Sequence, residues 1–170
     1  MTMSATLPAG FEIKGGELTI TRVFNAPRPL VFAAYTEPEH LMRWWGPSEY
    51  PMASCTVDLR PGGTWHYCMK SRTTGDEAWG IAIYSAIEAP KRLVYTDAFS
   101  DAEGHINEAL PTAEVTMTFE EVGSNRTRVV STTKYASEEA LQAVVQMGMI
   151  EGITETMGQL DALLTELQAA

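Results

Sequence analysis

Apolar and polar positions alternate along much of the chain up to Lys134 and then switch to helical spacing. Glu17–Asn25 sets Leu18, Ile20, Arg22 and Phe24 against Thr19, Thr21 and Val23, an alternation rich in β-branched residues that predicts a strand. Ala26-Pro27-Arg28-Pro29 stops it, and Leu30–Tyr35 reads as a short apolar helix. Prolines are tolerated early in a helix because their missing N–H would be unpaired there anyway. Thr36-Glu37-Pro38-Glu39 has the form of a capping box, which predicts a second short helix from Glu37 to about Trp44, ended by Gly46-Pro47. Residues 1–16 are small, polar and glycine-bearing and read as a loose arm.

From Met52 the alternation returns. Met52–Leu59 and Thr64–Lys70 flank Arg60-Pro61-Gly62-Gly63, a hairpin signal. After a turn at Thr73–Asp76, strands are expected over Ala78–Glu88 and Arg92–Phe99. A polar, acidic loop at Ser100–Pro111 precedes a last hairpin, Ala113–Glu121 and Arg126–Lys134 around Gly123-Ser124-Asn125. The period then becomes 3.6. Ser137 can cap, Glu138 and Glu139 complement the helix dipole, and Ile150, Ile153, Met157, Leu160, Leu164 and Leu167 form one stripe. One helix over Ala140–Leu167 is predicted, about 28 residues and roughly 42 Å long, enough to cross a sheet. No strand–helix alternation calls for a doubly wound parallel sheet. The expected fold is α+β: a single domain over 17–168, with a curved antiparallel sheet of about seven strands around the C-terminal helix.

One helix cannot cover a curled sheet of that size without a gap, which side chains fill or a pocket occupies. Two features favour a pocket. The last helix carries Gly148, Gly152 and Gly158, each costing about 1 kcal/mol relative to alanine in a helix interior. Aromatic and methionine side chains, which offer large and adaptable contact area, crowd the core elements. The same observations fit ordinary core packing and close backbone contact at the glycines. Trp65, Tyr67 and Met69 share one strand face, and Trp79, Ile81 and Ile83 another; both sets are assigned inward. The expected cavity lining is Trp44, Trp45, Trp65, Tyr67, Met69, Trp79, Ile81, Tyr95, Met117, Phe119, Met147, Ile150, Glu151 and Met157.

Composition narrows the function classes. The 170 residues are 45% hydrophobic and 20% charged, ordinary for a globular domain, but the net charge is −10. Such a chain repels phosphate backbones and anionic bilayers, so neither nucleic acid nor membrane is an expected partner. No stretch is long enough to span a bilayer and no secretory signal is visible, so a cytoplasmic location is expected. Cys55 and Cys68 make no disulfide framework or zinc site, although the hairpin between them brings them near one another. No hydrolase, metalloprotease, P-loop or dinucleotide motif occurs, so no catalytic residue, metal or cofactor is expected. His40, His66 and His105 are unlinked by any motif, and His66 lies opposite Trp65 and Tyr67. Asp58 and Arg60 are expected to pair across the hairpin end. Glu151 and Glu155 form an i,i+4 pair near the expected cavity.

Phe24-Asn25-Ala26-Pro27 through Glu39-His40-Leu41, followed by Arg43-Trp44-Trp45-Gly46-Pro47 and Val57-Asp58-Leu59-Arg60-Pro61-Gly62-Gly63, resembles the AHSA1-like family. That family is named for the activator of Hsp90 ATPase and belongs to the START/Bet v 1-like (SRPBCC) superfamily. Trp79-Gly80, Ala89–Tyr95, Phe99-Ser100-Asp101 and Leu160–Leu164 extend the likeness over roughly residues 17–168. Ile153 stands where the family often has tryptophan, and the co-chaperone's additional N-terminal domain is absent from this sequence. The resemblance implies a helix-grip fold with a deep apolar cavity. Superfamily members include lipid carriers, hormone receptors and polyketide cyclases, so the site has to decide the function.

The leading expectation is a non-enzymatic module that binds a small hydrophobic or aromatic molecule. A cyclase- or hydrolase-type enzyme using Tyr67, Glu151 or Asp97 to position a water is the second. An Hsp90-type chaperone-interaction domain is the third. The expected assembly is a monomer or homodimer.

Overall fold

The computed structural model describes residues 7–169. The chain runs β1 (Phe11–Lys14), β2 (Glu17–Phe24), α1 (Arg28–Thr36), α2 (Pro38–Trp44), β3 (Met52–Val57), β4 (Thr64–Lys70), β5 (Glu77–Glu88), β6 (Arg92–Ser100), β7 (Ala113–Gly123), β8 (Arg126–Tyr135), α3 (Glu138–Gln146) and α4 (Met149–Ala169). The strands form one antiparallel sheet in the order β1-β2-β8-β7-β6-β5-β4-β3. β2 lies beside β8, with Glu17 opposite Lys134 and Phe24 opposite Thr127.

The sheet has eight strands rather than about seven because part of the predicted arm joins its edge. Phe11 pairs with Ile20 and Lys14 with Glu17. Residues 1–6 of that arm lie outside the described residues. Register decides which side chains share the inner face. Ile20 stands opposite Ser131, which stands opposite Met117; Asp97 stands opposite both Ala82 and Ala113; Tyr67 stands opposite Gly80. Leu18, Ile20, Arg22 and Phe24 therefore face the same way as Tyr95, Asp97, Trp65, Tyr67 and Met69.

Two local expectations change. Thr36 is no helix cap: it ends α1, where its hydroxyl donates to the Phe32 carbonyl (2.8 Å). The N-cap of α2 is Glu37, with Pro38 in the first turn and no side-chain cap. Nor is the last helix continuous. Gly148 has φ +97°, a left-handed conformation that suits glycine, and it separates α3 from α4. Ser137 does cap α3, accepting a hydrogen bond from the Ala140 N–H (3.0 Å).

The break gives the helices two separate packing centres. Leu141 of α3 and Ile150 at the start of α4 pack with Leu18 and Ile20 of β2. Farther along α4, Leu160, Leu163 and Leu164 pack with Phe24, Val31, Leu41, Trp44 and Phe119. Trp44 is fully buried there, its indole N–H donating to the Ala34 carbonyl (2.8 Å). α4 is anchored to the short helices by the Gln159 amide, which donates to the carbonyls of Trp44 and Gly46 (2.8 and 2.7 Å).

Candidate functional site

Between the two packing centres the sheet is left uncovered, and a cavity of about 610 Å³ fills the gap. That volume lies within the usual range for small-molecule sites. β2 contributes Leu18, Ile20 and Phe24; β6 contributes Tyr95, Asp97 and Phe99; β7 and β8 contribute Val115, Met117, Val129, Thr133 and Tyr135. The roof is the first half of α4, with Met149, Gly152, Ile153, Thr156 and Met157. Pro47 and Tyr50, Asp76, Pro111, and Met147 with Gly148 sit on four connections at one end of the sheet and form a mouth.

Small residues make the void. Gly80, Ala82 and Ala113 occupy the inner face where β5, β6 and β7 meet. A Cβ on Gly80 would come within 2.5 Å of the Tyr67 ring, so that glycine lets the tyrosine lie flat over β5. Tyr67 is held from the other sides by Trp65 and Trp45, with centroids 4.7 and 6.1 Å away.

Polar groups in the wall are few. Arg22 of β2 forms an ion pair with Asp161 of α4, and its guanidinium sits over the Phe24 ring, 5.6 Å from the centroid. The Arg22 Nε is buried without a partner among the described residues. Tyr35 nearby has its phenol pushed well up by burial, although Arg22 opposes the shift. Asp97 is different: no side chain among the described residues hydrogen-bonds to it. Burial pushes its carboxyl up to about 7, and the Ala98 N–H offsets that only in part. The surface Asp97 keeps open faces the cavity. Tyr67 and Tyr95 are held protonated by burial, which the Asp97 charge reinforces. Tyr135 is pushed up to about 12 for the same two reasons.

Of the lining residues expected from sequence, Trp45, Tyr67, Met69, Trp79, Tyr95, Met117, Met147 and Met157 border the cavity. Met147 is at its mouth and 59% exposed. Trp79 only edges it: its ring stacks on His66 on the outer face, centroids 5.0 Å apart. The other six lie elsewhere. Trp44, Trp65 and Phe119 belong to the filled centre under α1, α2 and the second half of α4. Ile150 packs with Leu18 and Leu141 in the other centre. Ile81 faces outward and is buried beneath the loop after β6, where a Cβ added at Gly104 would lie 3.8 Å from its Cδ1. Glu151 is exposed, while Glu155 accepts a hydrogen bond from Ser48. Sequence reasoning left Arg22, Tyr35 and Tyr135 out of the lining and weighed Asp97 only as chemistry. The signal was present, since Arg22 is in phase with Leu18 and Ile20, and Asp97 with Tyr95.

The remaining candidates settle into structural roles. His66 Nε2 lies 2.9 Å from the Asp101 carbonyl on the outer face. Arg60 donates to Asp58 at 2.9 Å. Cys55 and Cys68 are free: Cys55 pairs with Tyr67 and Cys68 with Ser54, so the two thiols point to opposite faces of the sheet. The exposed trio Asp101, Glu103 and His105 brings its ligand atoms within 4.8 Å. The Asp101 carboxylate is occupied there by the backbone N–H groups of Glu103 and His105. No helix among the described residues is long and apolar enough to cross a membrane.

An antiparallel sheet wrapped against a C-terminal helix over an apolar hollow defines the helix-grip class, the START/Bet v 1-like architecture. Within it, the chain belongs to the family of activator of Hsp90 ATPase homolog 1-like proteins, whose model matches residues 25–165. The solution NMR structure of a protein from Arthrobacter aurescens is 32% identical with TM-score 0.85, over 93% of this chain and 92% of that one. A crystal structure from Mycobacterium smegmatis is 38% identical with TM-score 0.76, over 88% and 90%. The AHSA1 protein of Silicibacter pomeroyi shares the fold at 20% identity, with TM-score 0.68 over 88% and 97%. None of the curated proteins matches the chain.

Proposed function

We propose that this protein binds one small hydrophobic or aromatic molecule in the cavity between the sheet and α4. The observation that carries the reading is the 610 Å³ hollow, walled by aromatic, aliphatic and methionine side chains and opening at one end. Burying a largely apolar molecule there is favourable at about 25 cal/mol per Å² of apolar surface removed from water. Met69, Met117, Met149 and Met157 supply walls that adapt to the occupant's outline. The cytoplasm is the compartment in which the two free thiols would persist. Native mass spectrometry of the protein purified from its own cells tests the proposal. A single small-molecule adduct per chain is expected, and bare chain in every preparation would count against it.

A cyclase- or hydrolase-type activity is the second reading, favoured by one observation. Asp97, with a pKa of about 7, shares the cavity with Tyr67 and Tyr95, and a carboxyl near neutrality suits general acid–base work. An adduct whose mass changes with time, and stops changing in Asp97→Asn, would select the enzyme; an unchanging adduct selects the carrier. The chaperone reading gains no comparable support. The exposed large apolar side chains among the described residues, Met42, Leu59, Ile106 and Met147, are few and stand on four separate segments of the chain.

A further inference from the structure

Resting on the ligand-binding reading above, we infer that the preferred occupant is an apolar molecule bearing a protonated amine, with Asp97 as its counter-ion. The charge pattern of the wall points there first. Its charged side chains are Arg22, Asp76, Glu77 and Asp97. Arg22 is already paired with Asp161. What remains facing the hollow among the described residues is negative: the Asp76 carboxylate at the mouth and Asp97 inside, while the Glu77 carboxylate turns to the outer face and accepts from the Trp79 indole N–H (3.1 Å). The net charge of −10 adds to the field drawing a cation toward that mouth.

The setting of Asp97 points the same way. Its cross-strand neighbours on both sides, Ala82 and Ala113, are too small to cover it, so the carboxyl faces the void. Among the described residues no arginine, lysine or histidine pairs with it, and no side chain donates a hydrogen bond to it. An apolar occupant without a donor would seal that carboxyl away from water and leave it unpaired, which is costly. An anionic occupant would meet it as a like charge. An ammonium would form charge-assisted hydrogen bonds with it, and the rings of Tyr67, Tyr95 and Tyr135 offer aromatic faces to the same cation.

Pairing of an ammonium with Asp97 sets the direction of a pH effect. The titratable groups facing the inner cavity near Asp97 are Tyr67 of β4, Tyr95 of its own strand and Tyr135 of β8. Charge from β2 and α4 reaches the cavity as the Arg22–Asp161 pair. Burial keeps the tyrosines neutral well above neutrality, so Asp97 is the group that titrates between acid and neutral pH. A bound cation favours its carboxylate form. Affinity for an amine should therefore rise as the pH rises through about 7.

The test is a pair of fluorescent probes, one charged and one neutral: dansylcadaverine, a primary amine, and its N-acetyl derivative, which is larger by one acetyl group. Titrated at about pH 8 into the wild-type chain, the amine should bind roughly tenfold or more tightly than the acetylated probe, the scale of one charge-assisted hydrogen bond. Its advantage should shrink toward unity near pH 5, and should close in Asp97→Asn at every pH. Equal affinities in the wild type would overturn the amine inference alone. A preference that survives in Asp97→Asn would remove Asp97 from the recognition. Failure of both probes to bind would overturn the ligand-cavity reading, and this inference with it.

Discussion

Replacing Asp97 by asparagine should stabilise the empty protein, and by more as the pH rises. A carboxyl whose folded-state pKa is raised holds its proton more tightly in the native state than in the unfolded chain. Its contribution is fully favourable below the unfolded value, 3.8, and is lost progressively as the pH rises through about 7. The gap between those values, at about 1.4 kcal/mol per pH unit, is roughly 4 kcal/mol of native-state destabilisation in alkaline solution. Water entering the cavity screens part of this, so about 2–4 kcal/mol is the expected gain for Asp97→Asn near pH 8.5. For a chain of this size that corresponds to roughly 5–15 °C in Tm. Near pH 4 the gain should fall below about 1 kcal/mol, because the carboxyl is then protonated in the folded state and still close to half-protonated in the unfolded chain. Asparagine forfeits no side-chain partner among the described residues, since Asp97 has none there. Urea unfolding of both proteins at the two pH values isolates the effect, because every other carboxylate is common to the pair. A variant no more stable at pH 8.5, or equally stabilised at both pH values, would refute the account of Asp97 as a buried, unpaired carboxyl.

Two further perturbations bear on the cavity. Gly152→Leu places a side chain at the roof, where a Cβ would meet only Pro47, 4.0 Å away; it should abolish probe binding while leaving the urea midpoint unchanged or raised. Gly80→Ala should cost about 1–3 kcal/mol, because its methyl would strike the wedged Tyr67 ring, whereas Gly158→Ala, which meets nothing within 4 Å, should gain up to about 1 kcal/mol. Thermal melts of these two variants against the wild type check the contrast, and equal effects would contradict it.

The strands were legible because alternation and turn chemistry agree. The six strands from Met52 to Tyr135 match their predicted spans to within two residues at either end. The break at Gly148 was hidden because apolar residues continue on both sides of it, Val144 and Val145 before and Met149 and Ile150 after. A second signal contradicted a single helix: Leu141 and Ile150 are nine residues apart, about two and a half turns, so one straight helix would have pointed them in opposite directions. Both are buried in the same cluster, which requires the turn between them.

The orientation of β5 was misread for a physical reason. Both of its faces are apolar, and the larger side chains, Trp79, Ile81 and Ile83, were assigned inward. A wall that encloses a void needs the small residues instead, and Ala78, Gly80 and Ala82 are the ones that face the interior. Hydropathy does not separate the two faces; side-chain volume does. The same reasoning explains Trp44, Trp65 and Phe119, which are large enough to close the centre they occupy and so take no part in the cavity.

The central claim is that the hollow beneath α4 is a binding site for an apolar molecule. Titration with N-phenyl-1-naphthylamine, a neutral apolar fluorophore that brightens out of water, tests it most directly when the wild type and Gly152→Leu are measured side by side. Saturable binding of one probe per wild-type chain, lost in Gly152→Leu, is the predicted result. Absence of saturable binding, or equal binding by the two proteins, would contradict it.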